Sequence, residues 1–384
     1  MNKTLKNLFI LTLIILFIIA FSDSYLSLSL DNLAYVIAIG IDKSNTNNLQ
    51  VTFQFSTPNS DSSSQSESES SGKTSSIIKT VDASSLSSAI NLMNSYISKQ
   101  INMSHCKIIV FSEELAAEGI SDEIFTLIND TQIRPSSNIV ISKCDAKYYI
   151  ESTKPDLENL IAKYYENLPN SSMYTGFMTD ATIGDFFNAL ISKTSMPYAI
   201  LGNVNSEQSE NIGLAVFCHD QFVGELNSLE TISFLSVTNN VERFLISIPD
   251  PYSKDKYIDL YLSLEKSPDV KIYTTTSSPY IKVNLKFNGR IYSMSDNSDY
   301  LSPEVLDTIS SSCNKYLEAV FSNFLYKTSK NLKSDICKFG RHACANFLTT
   351  SEFENYNWLY NYRNAFFDVE VDTSVKSGML LTET

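Results

Sequence analysis

"IKVNLKFNG", Ile281 to Gly289, alternates without a break. Ile281, Val283, Leu285 and Phe287 fall on one side of an extended chain. Lys282, Asn284, Lys286 and Asn288 fall on the other. Such a strand has one dry face and one wet face, the habit of antiparallel sheets. Upstream, "YIDLYLSLEK" repeats the pattern, with Ile258, Leu260, Leu262 and Leu264 inward and Asp259 and Ser263 outward. Downstream, from Ser302 to Ile336, the period changes to that of a helix. Ser302 caps it and Pro303 takes its first turn. Leu306, Ile309, Cys313, Leu317, Val320 and Phe324 then line one side. A helix this long lies across the sheet and buries that stripe. "FFDVEVDTSV" returns as a strand, and "GLAVFCHDQFVGEL" reads as a hairpin turning at Cys218 to Gln221.

The first half mixes the two periods. "LAYVIAIGIDK" and "LQVTFQFST" read as strands joined by "SNTNN". "PNSDSSSQSESESSGKTSS", Pro58 to Ser76, is too polar to pack and reads as a mobile loop. Its "GKT" is no phosphate loop, because Glu67 stands where a glycine is required. Asp82 is expected to cap a helix whose stripe is Leu86, Ile90, Met93 and Ile97. "CKIIVFS", "SSNIVISK" and "MPYAILGNV" are strands, "SEELAAEGI" and "SDEIFTLIND" short helices, and residues 145–195 mostly helical. "NSEQSEN", Asn205 to Asn211, reads as a polar linker. The expected fold class is α+β. A mixed α/β region spans 24–204, with a division near 150 left open. A domain of mainly antiparallel sheet packed by the long helix spans 211–384.

Across 384 residues, Lys plus Arg total 29 and Asp plus Glu 43, a formal charge of −14. Such a chain is repelled by phosphate backbones, so nucleic acid is not an expected partner. The six cysteines form no C-x-x-C pair and read as small buried hydrophobes, with a Cys337–Cys344 bridge left open. At the N-terminus, Lys3 and Lys6 precede an apolar run: Leu8, Phe9, Ile10, Leu11, Leu13, Ile14, Ile15, Leu16, Phe17, Ile18, Ile19 and Phe21, interrupted by Thr12 and Ala20. That is the layout of an export signal. The run is short for a bilayer core, which takes about 20 helical residues. Residues 1–22 are therefore either a signal peptide or a signal-anchor helix, and the second reading puts the protein on a membrane.

Chemistry-bearing patterns are few. His105 and Cys106 are neighbours, as are Cys218 and His219, and adjacent residues on a strand face opposite ways. No metal, cofactor or catalytic set is expected from these spacings. Four residues stand out as structural or partner-contact candidates: Asp42 and Asp335 at element ends, Arg134 before a strand, and Trp358, the only tryptophan, among Tyr356, Tyr360 and Tyr362. Aromatics with arginine can anchor interfaces, although packing is the commoner use.

Five stretches carry a resemblance: "DNLAYVIAIGIDK", "IIVFSEELAAEGI", "GLAVFCHDQFVGEL", "SDICKFG" and "FFDVEVDTSVKSGML". In this order and spacing the chain resembles the C subunits of spore nutrient-germinant receptors, the Ger(x)C or GerAC-like proteins. The resemblance implies a non-enzymatic subunit in the spore inner membrane, its soluble part on the outer side. Its partners would be an A-type and a B-type membrane subunit, and its role receptor assembly or signal coupling. The family's lipidated cysteine is replaced by Ser24, which cannot carry the thioether-linked lipid. Membrane attachment is then expected through the Leu8–Phe21 run or through the partner subunits. The competing reading is an exported stand-alone binding protein or cell-wall-acting enzyme on the same fold.

Overall fold

The computed structural model describes residues 6–7, 10–15, 17 and 32–376, apart from 47, 57–75, 155–160, 168–174, 207, 254, 275–276 and 295–301. Among the described residues, nine strands make the first sheet: β1 (Leu33–Lys43), β2 (Leu49–Ser56), β3 (Ser76–Ala83), β4 (Gln100–Asn102), β5 (Ile108–Ser112), β6 (Asn138–Ser142), β7 (Tyr198–Asn205), β8 (Gln208–Cys218) and β9 (Gln221–Leu226). Their order is β3-β2-β1-β5-β6-β7-β8-β9, with β4 beside the start of β1. The middle, β1-β5-β6-β7, is parallel, and both flanks are antiparallel.

The parallel middle follows from its composition. "IIVFS" and "NIVIS" have no polar alternation, and every residue of β5 and β6 is buried. Strands like these need an apolar layer on each face. On one face Ile39, Ile109, Phe111 and Ile141 meet Leu86, Met93, Leu115, Ile124 and Phe186 from four helices. On the other, Ala38, Ile108, Val110 and Val140 meet Ala146, Tyr149, Ile150 and Tyr165.

Two expectations fail here. Asp82 does not cap a helix; it lies in β3, accepting from Ser44 Oγ at 2.9 Å and Gln50 Nε2 at 3.3 Å. The cap of helix Leu86–Tyr96 is Ser85, which accepts from Ser88 N. Strand β3 went unread because it is an edge strand whose Ile77 is exposed, so its alternation carries little burial signal. The stretch Asn205–Asn211 is no linker either. It turns a hairpin in which Asn205 pairs with Gln208 and Asn203 with Glu210, and β7 and β8 continue through it. The Ser-rich loop expectation falls, but for Ser76, outside the described residues.

The second sheet holds β10 (Phe244–Pro249), β11 (Tyr257–Leu264), β12 (Asp269–Tyr273), β13 (Tyr280–Met294) and β14 (Phe366–Lys376). β11 and β12 share one edge of β13 at its two ends, and β14 takes the other edge. Ile281, Val283, Leu285 and Phe287 face the core as the alternation requires. The pairing of β13 with β14 is parallel, in contrast to its antiparallel neighbours. The long helix Pro303–Tyr326 is the crossover that makes this possible.

That helix buries Ile309, Cys313, Leu317, Phe321 and Phe324 against the sheet. It also covers the free edge of β14. Ser310 Oγ, Asn314 Oδ1 and Glu318 Oε1 accept the backbone N–H groups of Val375, Thr373 and Val371 at 3.2, 2.9 and 3.2 Å. Four helical residues rise about 6 Å and two strand residues about 6.6 Å, so the two ladders stay in step. An edge closed this way cannot recruit a further strand.

Candidate functional site at the junction of the two sheets

β8 is the wall between two cores. Its Ala215 and Phe217 point into the first, while Leu214 and Val216, joined by Leu226 of β9, point into the second. Helix Ser228–Val237 comes directly after β9, and every residue from Thr231 to Val237 is buried. Its start is held by a capping box, with Asn227 accepting from Glu230 N and Glu230 accepting from Asn227 N. Glu230 also takes Lys327 Nζ at 2.7 Å, and the same ammonium donates to the Glu225 carbonyl of β9 at 2.9 Å. Lys327 opens a π turn, Lys327–Asn331, that ends the long helix where it meets the first sheet. Such turns insert one extra residue and re-aim the chain beyond them.

The chain then enters the segment Ser334–Gly340. Ser334 Oγ donates to the Phe217 carbonyl at 2.6 Å, and Met196 N–H donates to the Asp335 carbonyl at 2.9 Å. The Asp335 side chain is fully buried and accepts three N–H groups: Phe339 at 3.1 Å, Gly340 at 2.9 Å and Trp358 Nε1 at 2.8 Å. Burial pushes its carboxyl up to about 6, and these donors hold it from going further. Lys338 adopts a left-handed backbone (φ 62°) that swings the two backbone donors round onto the carboxylate. Gly340 leaves no room for a side chain, since a Cβ there would stand 2.3 Å from the Thr194 carbonyl and 2.6 Å from Trp358 Cδ1.

Beside this knot lies a cleft of about 460 Å³ walled by Lys193 and His219 on the side of the first sheet and by Glu354, Trp358, Tyr360 and Arg363 on the other. Lys193 and Glu354 pair across it at 2.9 Å. Arg363 stacks on Tyr360, and its buried Nε has no partner among the described residues. The arrangement clasps two parts of one body.

The structure thus brings Asp335 and Trp358 into one hydrogen bond, which their separation in sequence did not announce. Trp358 and Tyr362 are buried, and Tyr360 is exposed. Asp42 is elsewhere, at the end of β1. Its carboxylate accepts Ala146 N at 2.6 Å and Lys147 N at 3.0 Å, capping helix Ala146–Ser152 in place of Asp145. Burial raises its carboxyl above the usual range, against the pull of those donors. Arg134 is exposed on the loop before β6. Ser334, Glu230 and Lys327 were not singled out from the sequence. The Asn227-x-x-Glu230 spacing was the one readable sign of this region.

All six cysteines are free thiols, and burial pushes Cys106 and Cys313 up to about 12. Among the described residues no group of three His, Cys, Asp or Glu is placed to hold a metal ion, and no helix is long and apolar enough to cross a membrane. Of the apolar run, Ile10, Leu11, Leu13, Ile14, Ile15 and Phe17 are helical and exposed. Leu8, Phe9, Leu16, Ile18, Ile19, Phe21 and Ser24 lie outside the described residues.

Comparison with known proteins gives a consistent set of likenesses. Residues 27–202 match the family described as the spore germination protein N-terminal domain. Residues 212–378 match the spore germination B3/GerAC-like C-terminal family. Spore germination protein KC of Bacillus subtilis (strain 168) is 23% identical over 333 residues, covering 81% of each chain. The putative spore germination protein YfkR of the same organism is 20% identical over 370 residues, covering 92% of each. The crystal structure of the GerBC protein superposes with a TM-score of 0.56 at 16% identity, covering 88% of this chain and 96% of that one. That last likeness shows a shared fold.

Proposed function

Since the chain belongs to the GerAC-like family of spore germination proteins, the C subunits of germinant receptors, we propose that it is a non-enzymatic, membrane-attached receptor subunit that acts in assembly or signal coupling. The observation that carries this reading is the shared wall. The two family-matched segments meet at β8, which serves both cores, and the Asp335 backbone carbonyl ties the second to the first by accepting Met196 N–H. A body clasped in this way passes a displacement at one end to the other as a rigid movement, because packed cores shift between discrete arrangements and do not flow. Nutrient and ion traffic then belong to A-type and B-type partners, and this chain supplies the outer scaffold.

Attachment is proposed through the Leu8–Phe21 run, on the outer side of the spore inner membrane. The position of Ser24 removes the lipid route, and a helix in the bilayer holds far longer than a single acyl chain.

The test is purification of the native protein from spore membranes under mild detergent. Recovery with both membrane subunits is the expected result. Recovery as a soluble monomer without either overturns the receptor reading. Mass spectrometry of the mature N-terminus checks the tether separately: a chain beginning at Asp23 rules it out.

A further inference from the structure

The wet face of the second sheet is a charge ladder, and one rung of it is wrong. Along β13 and β14, Lys282 stands opposite Asp368, Asn284 opposite Glu370, Lys286 opposite Asp372 and Asn288 opposite Ser374. Lys282 bridges Asp368 at 3.5 Å and also bonds Glu370, and Lys286 meets Asp372 at 2.6 Å. At the last rung Arg290 stands opposite Lys376. Like charges directly opposite destabilise a sheet. Among the described residues neither of these two has a carboxylate partner, and both are exposed.

A third cation joins them. Arg243, exposed just before β10, completes a concavity of about 600 Å³ with Arg290, Lys376, Tyr261, Ser263 and Asn288. No Asp or Glu lines it among the described residues. Its neutral walls offer hydroxyl and amide donors, and its cations include two planar guanidinium forks, the donor set that suits a phosphate. In a chain of charge −14 this cluster of positive charge stands against the general trend. Aromatic rings stand beside it: Tyr261 of its wall packs edge-on against Tyr292, which is 61% exposed. Asp259, which β11 carries on this face, is occupied by the hydroxyls of Ser247 and Ser293.

We infer that the Arg243–Arg290–Lys376 concavity is a docking site for the phosphate of an anionic lipid headgroup, holding the second sheet against the membrane surface. Cations beside an exposed tyrosine suit the headgroup layer, where aromatic rings sit half in water. An enclosed phosphate-ester site would not stand beside an exposed ring. The inference builds on the proposed membrane attachment. The repulsion between an acidic body and an anionic bilayer leaves a cationic patch as the favourable point of contact.

The test uses the full chain in lipid discs, either of neutral phosphatidylcholine or with anionic phosphatidylglycerol added. The readout is the rate at which an amine reagent labels Lys376, by peptide mass spectrometry, with Lys271 as the internal reference. Labelling of Lys376 is expected to be about fivefold slower in anionic discs, and high salt or Arg290→Glu should restore it. Circular dichroism of that variant shows whether the fold is kept, and high salt on the unaltered chain gives the same answer without a substitution. Equal labelling in both discs overturns the inference while leaving attachment intact. Protection by inorganic phosphate alone, or only when a membrane subunit is added, also overturns it, in favour of a soluble phosphoester or an acidic protein segment. A chain retained by anionic discs but lost from neutral ones supports the patch and removes the helical tether. A chain lost from both removes both.

Discussion

The two sheets solve the same problem in different ways. The first is buried on both faces at its centre, so β5 and β6 spend every side chain on packing and leave no surface for contact. The second is buried on one face, and its outer face keeps a row of charged and polar side chains in water. Each half holds a buried aspartate that gathers N–H donors: Asp42 takes backbone from a distant helix, and Asp335 takes the backbone of its own turn and the Trp358 ring. Asp42 caps a helix within the first sheet's own layers; the Asp335 carboxylate holds its own turn and the Trp358 ring within the second core, and only its backbone carbonyl, accepting Met196 N–H, reaches the first. The difference separates roles: the first sheet is ballast, the second presents a surface, and β8, which serves both cores, joins them.

Breaking the Asp335 knot should have the largest effect. Asp335→Ala leaves three buried donors without an acceptor, each costing about 1–3 kcal/mol, so a loss of roughly 3–5 kcal/mol is expected after relaxation. Urea unfolding should show it, with the transition splitting in two if the cores come apart. The carboxyl sits near 6 when folded, against 3.8 ordinarily. The folded state therefore holds the proton more tightly than the unfolded one. The favourable contribution is complete below about pH 4 and fades as the pH rises through about 6, by about 3 kcal/mol in all. Thermal melts between about pH 4 and 7 should lose that slope in Asp335→Asn; an unchanged slope assigns the effect to other groups.

Asp42→Ala should cost less, roughly 1–3 kcal/mol, because it orphans two N–H groups where Asp335→Ala orphans three. Hydrogen exchange should then speed up in helix Ala146–Ser152 and leave the long helix unchanged. Faster exchange in both would erase the distinction between the two aspartates.

These two residues also mark how far the sequence could be read. Asp42 and Asp335 were visible as acids at element ends, because carboxylates placed there commonly accept free N–H groups. Their partners were not visible. Nothing local to Trp358 says that its ring N–H ends on a carboxylate 23 residues upstream. The alternations of β11 and β13 and the stripe of the long helix were legible because a half-buried element must write its period. β3 was not, since an exposed edge strand writes almost none. Nor was the hairpin at Asn205, where polar residues that read as a linker are simply the solvated end of two paired strands. The parallel pairing of β14 was hidden because alternation reports which face is wet and says nothing of strand direction.

The covered edge gives a smaller test. Asn314→Ala removes one of the acceptors along β14, at a cost of about 1 kcal/mol. Exchange of the Thr373 amide should rise, while that of Val375, still held by Ser310, should rise less. A uniform rise along β14 would mean that the helix guards the edge by packing alone.

The smallest effect has the most informative sign. Arg290→Glu turns the one unfavourable rung of the outer face into a favourable pair with Lys376. Thermal stability should therefore stay level or rise slightly. Lys286→Glu puts a second acid against Asp372 and should lower it slightly. Both shifts should shrink in high salt, because Arg290 is exposed and the half-buried Lys286 keeps its ammonium in reach of solvent. A surface tuned for stability alone would have acquired the acid at position 290. A measured gain from Arg290→Glu says that the positive rung is held against the sheet's own preference, and a measured loss says that Arg290 serves the fold and not a ligand.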